Sequence, residues 1–517
     1  MLSYLISASN GCLEHVSRSS TAPSNSSQFQ PTGAMSVPTD KPTRTEYASH
    51  LFLNREAEVT RFSGLLDKVI RGVAGIRRVL VFEGERGVGK SWLLKHMHWL
   101  AVQQTGVASF LVRFDPQYDV TLRVTANKPA AEVTIACKLN SFTARPEQLD
   151  DHSKHQLKEL LTNIAAYLHK EGLITEKLPT VLTLDETSFT LARLLRSGLQ
   201  NRNRVFVLLI DSAYEADWPF IAGLEDYVLA PLVAIDQVAV VLSGRGRPFP
   251  WINSLLRIEP EQDSLQLWRE PDPQKANAAG ERQRLFDLLC QLIRKQIGKH
   301  PFWDPDGVGV GTFPDRSVQQ ERLEQIWNLA QGQPLLTVRL AYNTDAGGDK
   351  AVQPTLDQGT LDEFAEEEIF TLVATDEREK VRRYLEALCV LDFFRETEAE
   401  RVIGKYFELQ CYDEIIASGR EILARLQRIY LVRWDRHEAQ FFVDNTVRIT
   451  LSNWMFLARN DDWRKLHEEA QRMYESWAKE YPKHQEYYQK RAQVHARTLE
   501  RSSHNNGTPT CQVETLA

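Results

Sequence analysis

The spacing of apolar residues changes along this chain, and the changes divide it. Residues 1–46 hold no sustained apolar pattern. They are rich in Ser, Thr, Pro and Asn, most densely over 17–27, and are expected to be disordered. From Val59 onward, Phe62, Leu65, Leu66 and Val69 recur at helical spacing. The run Val79-Leu80-Val81-Phe82 reads as a buried strand, and Ser91, Trp92, Leu93, Leu94, Met97 and Leu100 outline the helix after it. A second strand is expected over 108–114. Over 119–150 the pattern alternates only in parts and reads as an inserted hairpin, followed by a helix over 155–169. The six apolar residues Val205-Phe206-Val207-Leu208-Leu209-Ile210, closed by Asp211, suit a central parallel strand covered on both faces, and 238–243 reads the same way. Strands alternating with helices predict a parallel sheet.

Beyond a Pro- and Asp-rich break at 260–275 the pattern turns helical, over 281–298, 319–331 and 357–374. A helix is expected over 381–394. Two strands, 426–434 and 440–443, flank the polar turn Asp435-Arg436-His437-Glu438, so this part reads as a winged helix. Residues 460–500 carry a helical stripe at Leu466, Ala470, Met473, Tyr474 and Trp477. The predicted organisation is a disordered segment 1–46, a phosphate-loop α/β domain 47–262, a helical lid 263–376, a winged helix 377–458, a repeat-like helical segment 459–500 and a disordered tail 501–517.

Composition narrows the class. A chain of 517 residues is too long for one core and suggests about three or four domains. Its 42% hydrophobic and 25% charged content is that of an ordinary globular protein, and a net charge of −7 supplies no global basic field. Cys12, Cys137, Cys290, Cys389, Cys411 and Cys511 are scattered without metal-ligand spacing and read as free thiols of a reducing compartment. No stretch approaches the ~18 apolar residues of a membrane helix, and Met1-Leu2-Ser3-Tyr4-Leu5-Ile6 lacks a signal peptide's basic start. Met35 is an alternative start. A cytoplasmic protein with no membrane partner is expected.

The chemistry gathers at Gly84-Glu85-Arg86-Gly87-Val88-Gly89-Lys90-Ser91, a complete GxxxxGK[ST] phosphate-binding loop between the predicted strand and the helix opened by Ser91 and Trp92. Glycines let the backbone N–H groups converge on phosphate oxygens, and the helix N-terminus adds its positive dipole end. Lys90 would reach the β- and γ-phosphates and the Ser91 hydroxyl would ligate Mg²⁺. Asp211, at the end of its apolar strand, would hold the metal from the other side. Ser212 stands where many such proteins have a second acid, so Glu215 is the candidate to orient water, with Asp217 close by. Arg245, or alternatively Arg247, would read the γ-phosphate. By contrast, Gly307-Val308-Gly309-Val310-Gly311 follows no strand and reads as a connector. His467 and His495 have no partner ligands in the pattern, and the aromatic stripe at 463–477 reads as packing.

Taken in order, these features resemble the signal-transduction NTPases with numerous domains (the STAND class), relatives of the AAA+ ATPases that include the NB-ARC proteins. Phe52-Leu53-Asn54-Arg55-Glu56 is similar to their hydrophobic-Gly-Arg-Glu opening, with Asn54 in place of glycine. Ser243-Gly244-Arg245 resembles their Thr-Thr-Arg sensor, and Gly332-Gln333-Pro334-Leu335-Leu336 their Gly-x-Pro-Leu motif. Val443-Asp444-Asn445-Thr446-Val447-Arg448 falls where the family often has Met-His-Asp before Leu-Val-Arg, so Asp444 replaces the histidine that contacts the β-phosphate. The resemblance implies a multidomain α/β fold with an AAA+/STAND-like P-loop NTPase sheet. It also implies ATP or ADP with Mg²⁺, Arg55 at the nucleotide and Pro334 near the adenine. The expected function is a nucleotide-dependent conformational switch with slow Mg²⁺-dependent ATP hydrolysis, which engages a protein partner or a second copy in the ATP state. Two alternatives stand beside it. One is an ATP-controlled DNA-binding regulator, disfavoured because 413–428 mixes Arg420, Arg425 and Arg428 with Asp413, Glu414 and Glu421. The other is a scaffold that binds nucleotide without hydrolysing it.

Overall fold

A computed structural model describes Phe52 and residues 55–117, 131–138, 149–179, 181–245, 261–265, 278–297, 302–303, 316–344, 354–411, 418–435 and 439–504. The α/β part runs α1 (Glu56–Ile70), β1 (Val79–Gly84), α2 (Lys90–Gln103), β2 (Val107–Gln117), β3 (Glu132–Lys138), α3 (Asp151–Lys170), α4 (Leu184–Arg202) and β4 (Val205–Asp211). It continues through α5 (Trp218–Leu224), a π-helical turn Glu225–Leu229, α6 (Ala230–Val233), β5 (Val238–Gly244) and β6 (Glu261–Leu265). The six strands form one sheet in the order β3-β2-β4-β5-β1-β6, with every neighbouring pair parallel. β4 and β5 are buried at every position, as strands covered on both faces must be. Side chains of β4 alternate between the two layers of core: Phe206, Leu208 and Ile210 meet α3 and α4 residues, whereas Val205, Val207 and Leu209 join those of α1 and α2.

Two expectations need correction here. The hairpin expected over 119–150 is not one in its described part: β3 lies parallel to β2, so it is an added edge strand. Residues 118–130 fall outside the described residues. The sheet also reaches into the break expected at 260–275, because β6 pairs with β1. The pattern did not single out α4 either, although Thr183 and Glu186 form a reciprocal capping box at its start.

The helical part comprises α7 (Ala278–Ile297), α8 (Arg316–Ala330), α9 (Pro334–Tyr342) and α10 (Pro354–Phe364), which runs on through a π turn, Ala365–Ile369, and a 3₁₀ turn, Phe370–Leu372. Then come α11 (Arg378–Leu388), α12 (Glu396–Leu409), α13 (Gly419–Arg428), the antiparallel hairpin β7 (Val432–Asp435) and β8 (Gln440–Val443), and α14 (Asn445–Ala458). Three helices followed by a hairpin make the winged helix. Its first strand starts later than expected, since Leu426 belongs to the last turn of α13 and Tyr430, at φ 56°, breaks the chain before Val432. The helix expected over 381–394 ends at Leu388. The described residues end with α15 (Asn460–Glu480) and α16 (Gln485–His504), which pack against each other, and Trp463, Leu466, Ala470, Met473 and Tyr474 are buried. One continuous apolar core runs from Leu289 in α7 to Ala492 in α16. Among the described residues no helix is long and apolar enough to cross a membrane.

Candidate functional site

Parallel α/β sheets leave their ligand crevice at the carboxyl ends of the strands. Here the ends of β1, β5 and β4, adjacent in the sheet, carry the 84–91 loop, Ser243 to Arg245, and Asp211. The loop leaves β1 at Gly84 and enters α2 at Lys90. Gly87 (φ 77°) and Gly89 (φ 93°) adopt the left-handed backbone that a Cβ would strain. A Cβ on Gly87 would also meet Gln333 Nε2 at 1.8 Å, so the glutamine amide that reaches the loop from the lid would have to shift. Val88 is buried under the loop, and Arg55 donates from Nη2 to the Val88 carbonyl at 2.9 Å while pairing with Glu58.

Lys90 is buried and turns back on its own loop, donating to the Gly84 and Glu85 carbonyls at 2.9 Å each. Burial pushes its pKa down to about 8; the cations Arg245 and Arg433 press the same way, against Glu215 and Asp211. Ser91 and Trp92 lie half-buried in the first turn of α2. Asp211 accepts a hydrogen bond of 2.7 Å from the Ser243 hydroxyl, which fixes its carboxylate across the β4–β5 pair. Ser212 takes φ 60° and turns the chain so that Glu215 returns to the site. Glu215 is buried with Oε1 3.5 Å from Arg245 Nε, and its Oε2 has no hydrogen-bond partner among the described residues. Burial raises its pKa; Lys90 and Arg245 oppose that rise. Asp217 faces elsewhere, capping α5 through the Phe220 N–H. Arg245 is buried, and burial, then Arg86, lowers its pKa to about 9. Arg247 lies outside the described residues.

Two other parts of the fold close over the loop. From the lid, Gln333 caps α9 through its Oε1 and donates from Nε2 to the Arg86 carbonyl at 3.0 Å; Pro334 follows as the first helical residue. The π turn after α10 brings Glu368 to the Arg86 guanidinium at 2.7 Å and to Arg339 at 2.8 Å. From the winged-helix side, the Glu85 carboxylate accepts from the Asn445 N–H (3.2 Å), Asn445 Nδ2 (2.7 Å) and the Thr446 N–H (3.2 Å), the first turn of α14. Thr446 Oγ1 donates to the Arg86 carbonyl at 3.1 Å. Asp444, where the resemblance has histidine, caps α14 through the Thr446 N–H and sits 3.5 Å from Arg433. Arg433 donates to the Arg245 carbonyl at 2.6 Å. Burial foremost, and the nearby Asp444 next, raise the Glu85 pKa to about 7.

Sequence reasoning thus named the loop, Asp211, Glu215 and Arg245, and the chain brings them together. It missed Glu368 and Arg433, and it named Gln333, Asn445 and Thr446 only as parts of motifs. The run Asp444-Asn445-Thr446 before Val447 carried a readable helix-start signal. Nothing local marks Arg433. His467 and His495 have each other as partners: their Nδ1 atoms are 2.9 Å apart in the core beside α14. No group of three or more His, Cys, Asp or Glu side chains is placed to hold a metal among the described residues.

No family model matches the chain, and no curated protein matches its sequence. Among solved structures it is similar to a Walker-type ATPase of Pyrococcus abyssi, at 13% identity and TM-score 0.42, over 77% of this chain and 96% of that one. It is also similar to Cdc6p from Pyrobaculum aerophilum, at 14% identity and TM-score 0.36, over 80% of this chain and 97% of that one. A third is the Drosophila ORC bound to DNA, at 11% identity and TM-score 0.34, over 76% and 93%. At these scores the likenesses add nothing to the assignment that the sheet order, the glycine loop and the helix-plus-wing region carry themselves: a multidomain α/β P-loop fold followed by helical and winged-helix parts.

Proposed function

We propose that this protein is a nucleotide-dependent conformational switch of the AAA+/STAND kind. It takes ATP or ADP with Mg²⁺ between the α/β domain (47–262) and the lid (263–376), with the winged helix (377–458) and the 459–500 segment behind. The 84–91 backbone and Lys90 hold the phosphates. Ser91 and Asp211 hold the metal, a fit favoured by the orientation that the Ser243 hydroxyl imposes on the Asp211 carboxylate. Mg²⁺ supplies charge neutralisation between the phosphates. Glu215, with its unpartnered Oε2, orients the attacking water, and Arg245 reads the γ-phosphate. Arg55, Trp92 and Pro334 border the nucleoside. Turnover is slow, because Ser212 offers no carboxylate and Glu215 is drawn toward Arg245.

One observation carries the switch: the phosphate loop is gripped from both sides, by Gln333 and Glu368 of the lid and by Asn445 and Thr446 of α14. A nucleotide that reshapes the loop must disturb those grips, so occupancy becomes geometry. The partner in the ATP state is a second copy or another protein in the cytoplasm. Calorimetric titration with ADP, and with a non-hydrolysable ATP analogue plus Mg²⁺, tests binding; light scattering on the same samples tests assembly. The expected outcome is binding of both, lost in Lys90→Ala, and a larger mass with the ATP analogue only. Binding of neither nucleotide by the wild-type chain refutes the reading.

A further inference from the structure

The ion pairs around the phosphate loop fall into two sets. Pairs between lid and loop, or beside them in the lid, are tight: Arg86 to Glu368 at 2.7 Å and Arg339 to Glu368 at 2.8 Å. The two guanidiniums nearest Lys90 are held loosely. Arg245 stands 3.5 Å from Glu215, and Arg433 stands 3.5 Å from Asp444. Charge-assisted contacts to carboxylates settle at about 2.7–2.9 Å when nothing else competes. Both arginines therefore face the loop with donor capacity to spare.

Arg433 is the less expected of the two. It comes from β7, in a two-stranded wing where alternate side chains point to opposite faces. Its neighbour Trp434 is 43% exposed, whereas the Arg433 side chain turns inward to the Arg245 carbonyl, 188 residues away in sequence. A guanidinium has five N–H donors in a fixed fork. The Nη2 end meets the Arg245 carbonyl and Asp444, while Nε is buried and has no hydrogen-bond partner among the described residues. A buried donor left without a partner is a cost unless a ligand satisfies it. Arg86, Lys90, Arg245 and Arg433 converge there, interleaved with Glu85, Asp211, Glu215 and Asp444, so a phosphate would compete with these carboxylates for the guanidiniums.

We propose, resting on the nucleotide reading above, that Arg433 is a phosphate-contacting residue that the wing delivers to the nucleotide held by the 84–91 loop. The Asp444 carboxylate, 3.5 Å from the guanidinium, occupies the side of the fork that a phosphate would take. When a nucleotide arrives, the guanidinium trades that 3.5 Å pairing for phosphate oxygens, while Asp444 stays on α14 as its cap. The wing then follows phosphate occupancy directly, and the position that holds histidine in the resembled family serves here as the competitor of the phosphate.

The test is equilibrium binding of fluorescent ADP and ATP analogues with Mg²⁺ to the full chain, in a cycle of Arg433→Ala, Asp444→Asn and the double variant, with Arg433→Lys beside it. Asparagine keeps the helix cap and removes only the charge. Arg433→Ala should weaken both nucleotides at least tenfold, with Arg433→Lys recovering part of the loss. Asp444→Asn should tighten binding severalfold when Arg433 is present and change nothing when it is absent. A role confined to wing packing would not produce that dependence. Folded Arg433→Ala binding within twofold of wild type overturns the proposal, and so does Asp444→Asn acting equally in both backgrounds. If Arg433→Ala does not fold, Asp444→Asn in the wild-type background decides, and no tightening there overturns it. A wild-type chain that binds neither nucleotide defeats the underlying reading instead.

Discussion

Glu85 occupies a variable position of the phosphate loop, yet its carboxylate is the anchor for the first turn of α14. Three donors favour its charged form. Burial and the neighbouring Asp444 outweigh them and raise its pKa from 4.5 to about 7. A carboxyl with a raised folded pKa binds more protons than the unfolded chain does between those two values, so stability falls as pH climbs from about 4.5 through about 7. A displacement of that size corresponds to roughly 3 kcal/mol. Thermal unfolding of the nucleotide-free chain should therefore lose stability over that window relative to Glu85→Gln, and the two should run parallel above about pH 8. Parallel curves throughout would mean that Glu85 keeps an ordinary carboxyl titration. None of this was legible locally. The GxxxxGK[ST] spacing marks Gly84 to Ser91 because phosphate chemistry dictates it. The residues that Glu85 and Arg86 meet lie 360 and 247 positions further on, and no local pattern encodes such a pairing.

At the scale of elements, α14 joins the parts. Its residues from Thr446 to Phe456 are almost all buried. Ile449 packs into the sheet core under the loop, Asn453 donates to the Leu329 carbonyl of α8 at 2.8 Å, and Arg448 pairs with Asp392 after α11 at 2.6 Å. That burial explains why the helix was not foreseen: its polar residues Thr446, Thr450 and Asn453 are buried along with the apolar ones, so no solvent-facing side marks it, and Thr446, Val447, Ile449 and Thr450 favour strand by themselves. The strands β1, β4 and β5 were legible for the opposite reason, as unbroken apolar runs ended by loop chemistry. The start of α14 depends on the Asp444 cap, which accepts from Thr446 N–H at 3.1 Å. Asp444→Ala should lower stability by about 1 kcal/mol in denaturant titration, whereas Asp444→Asn should stay within a few tenths. Equal losses in the two variants would show that charge pairing with Arg433, rather than the cap, supports the helix.

At the scale of the whole molecule, the core from Leu289 to Ala492 runs without a break through lid, winged helix and terminal helix pair. Sequence showed which faces were apolar but not what covers them, so the stripe at 463–477 read as packing without a destination. Its destination is the winged helix: α15 lies against α12 and α14, and Trp463 stacks edge-on to Phe456 while its Nε1 donates to the Ser452 hydroxyl at 3.2 Å. A shared core favours motion as one body. The boundary that nucleotide would open is then the one between this helical body and the sheet, which the contacts of Glu85, Arg86 and Ile449 cross. Trp463 is buried in the shared core and makes none of the contacts given for that boundary, which makes it the residue to remove. Trp463→Ala should cost about 3–5 kcal/mol. The loss should appear in hydrogen exchange as a joint fall in protection across α8, α12, α14 and α15, while β4 and β5 keep theirs. Loosening confined to α15 and α16 would show instead that the terminal pair is an appendage, and that lid and winged helix hold the loop without it.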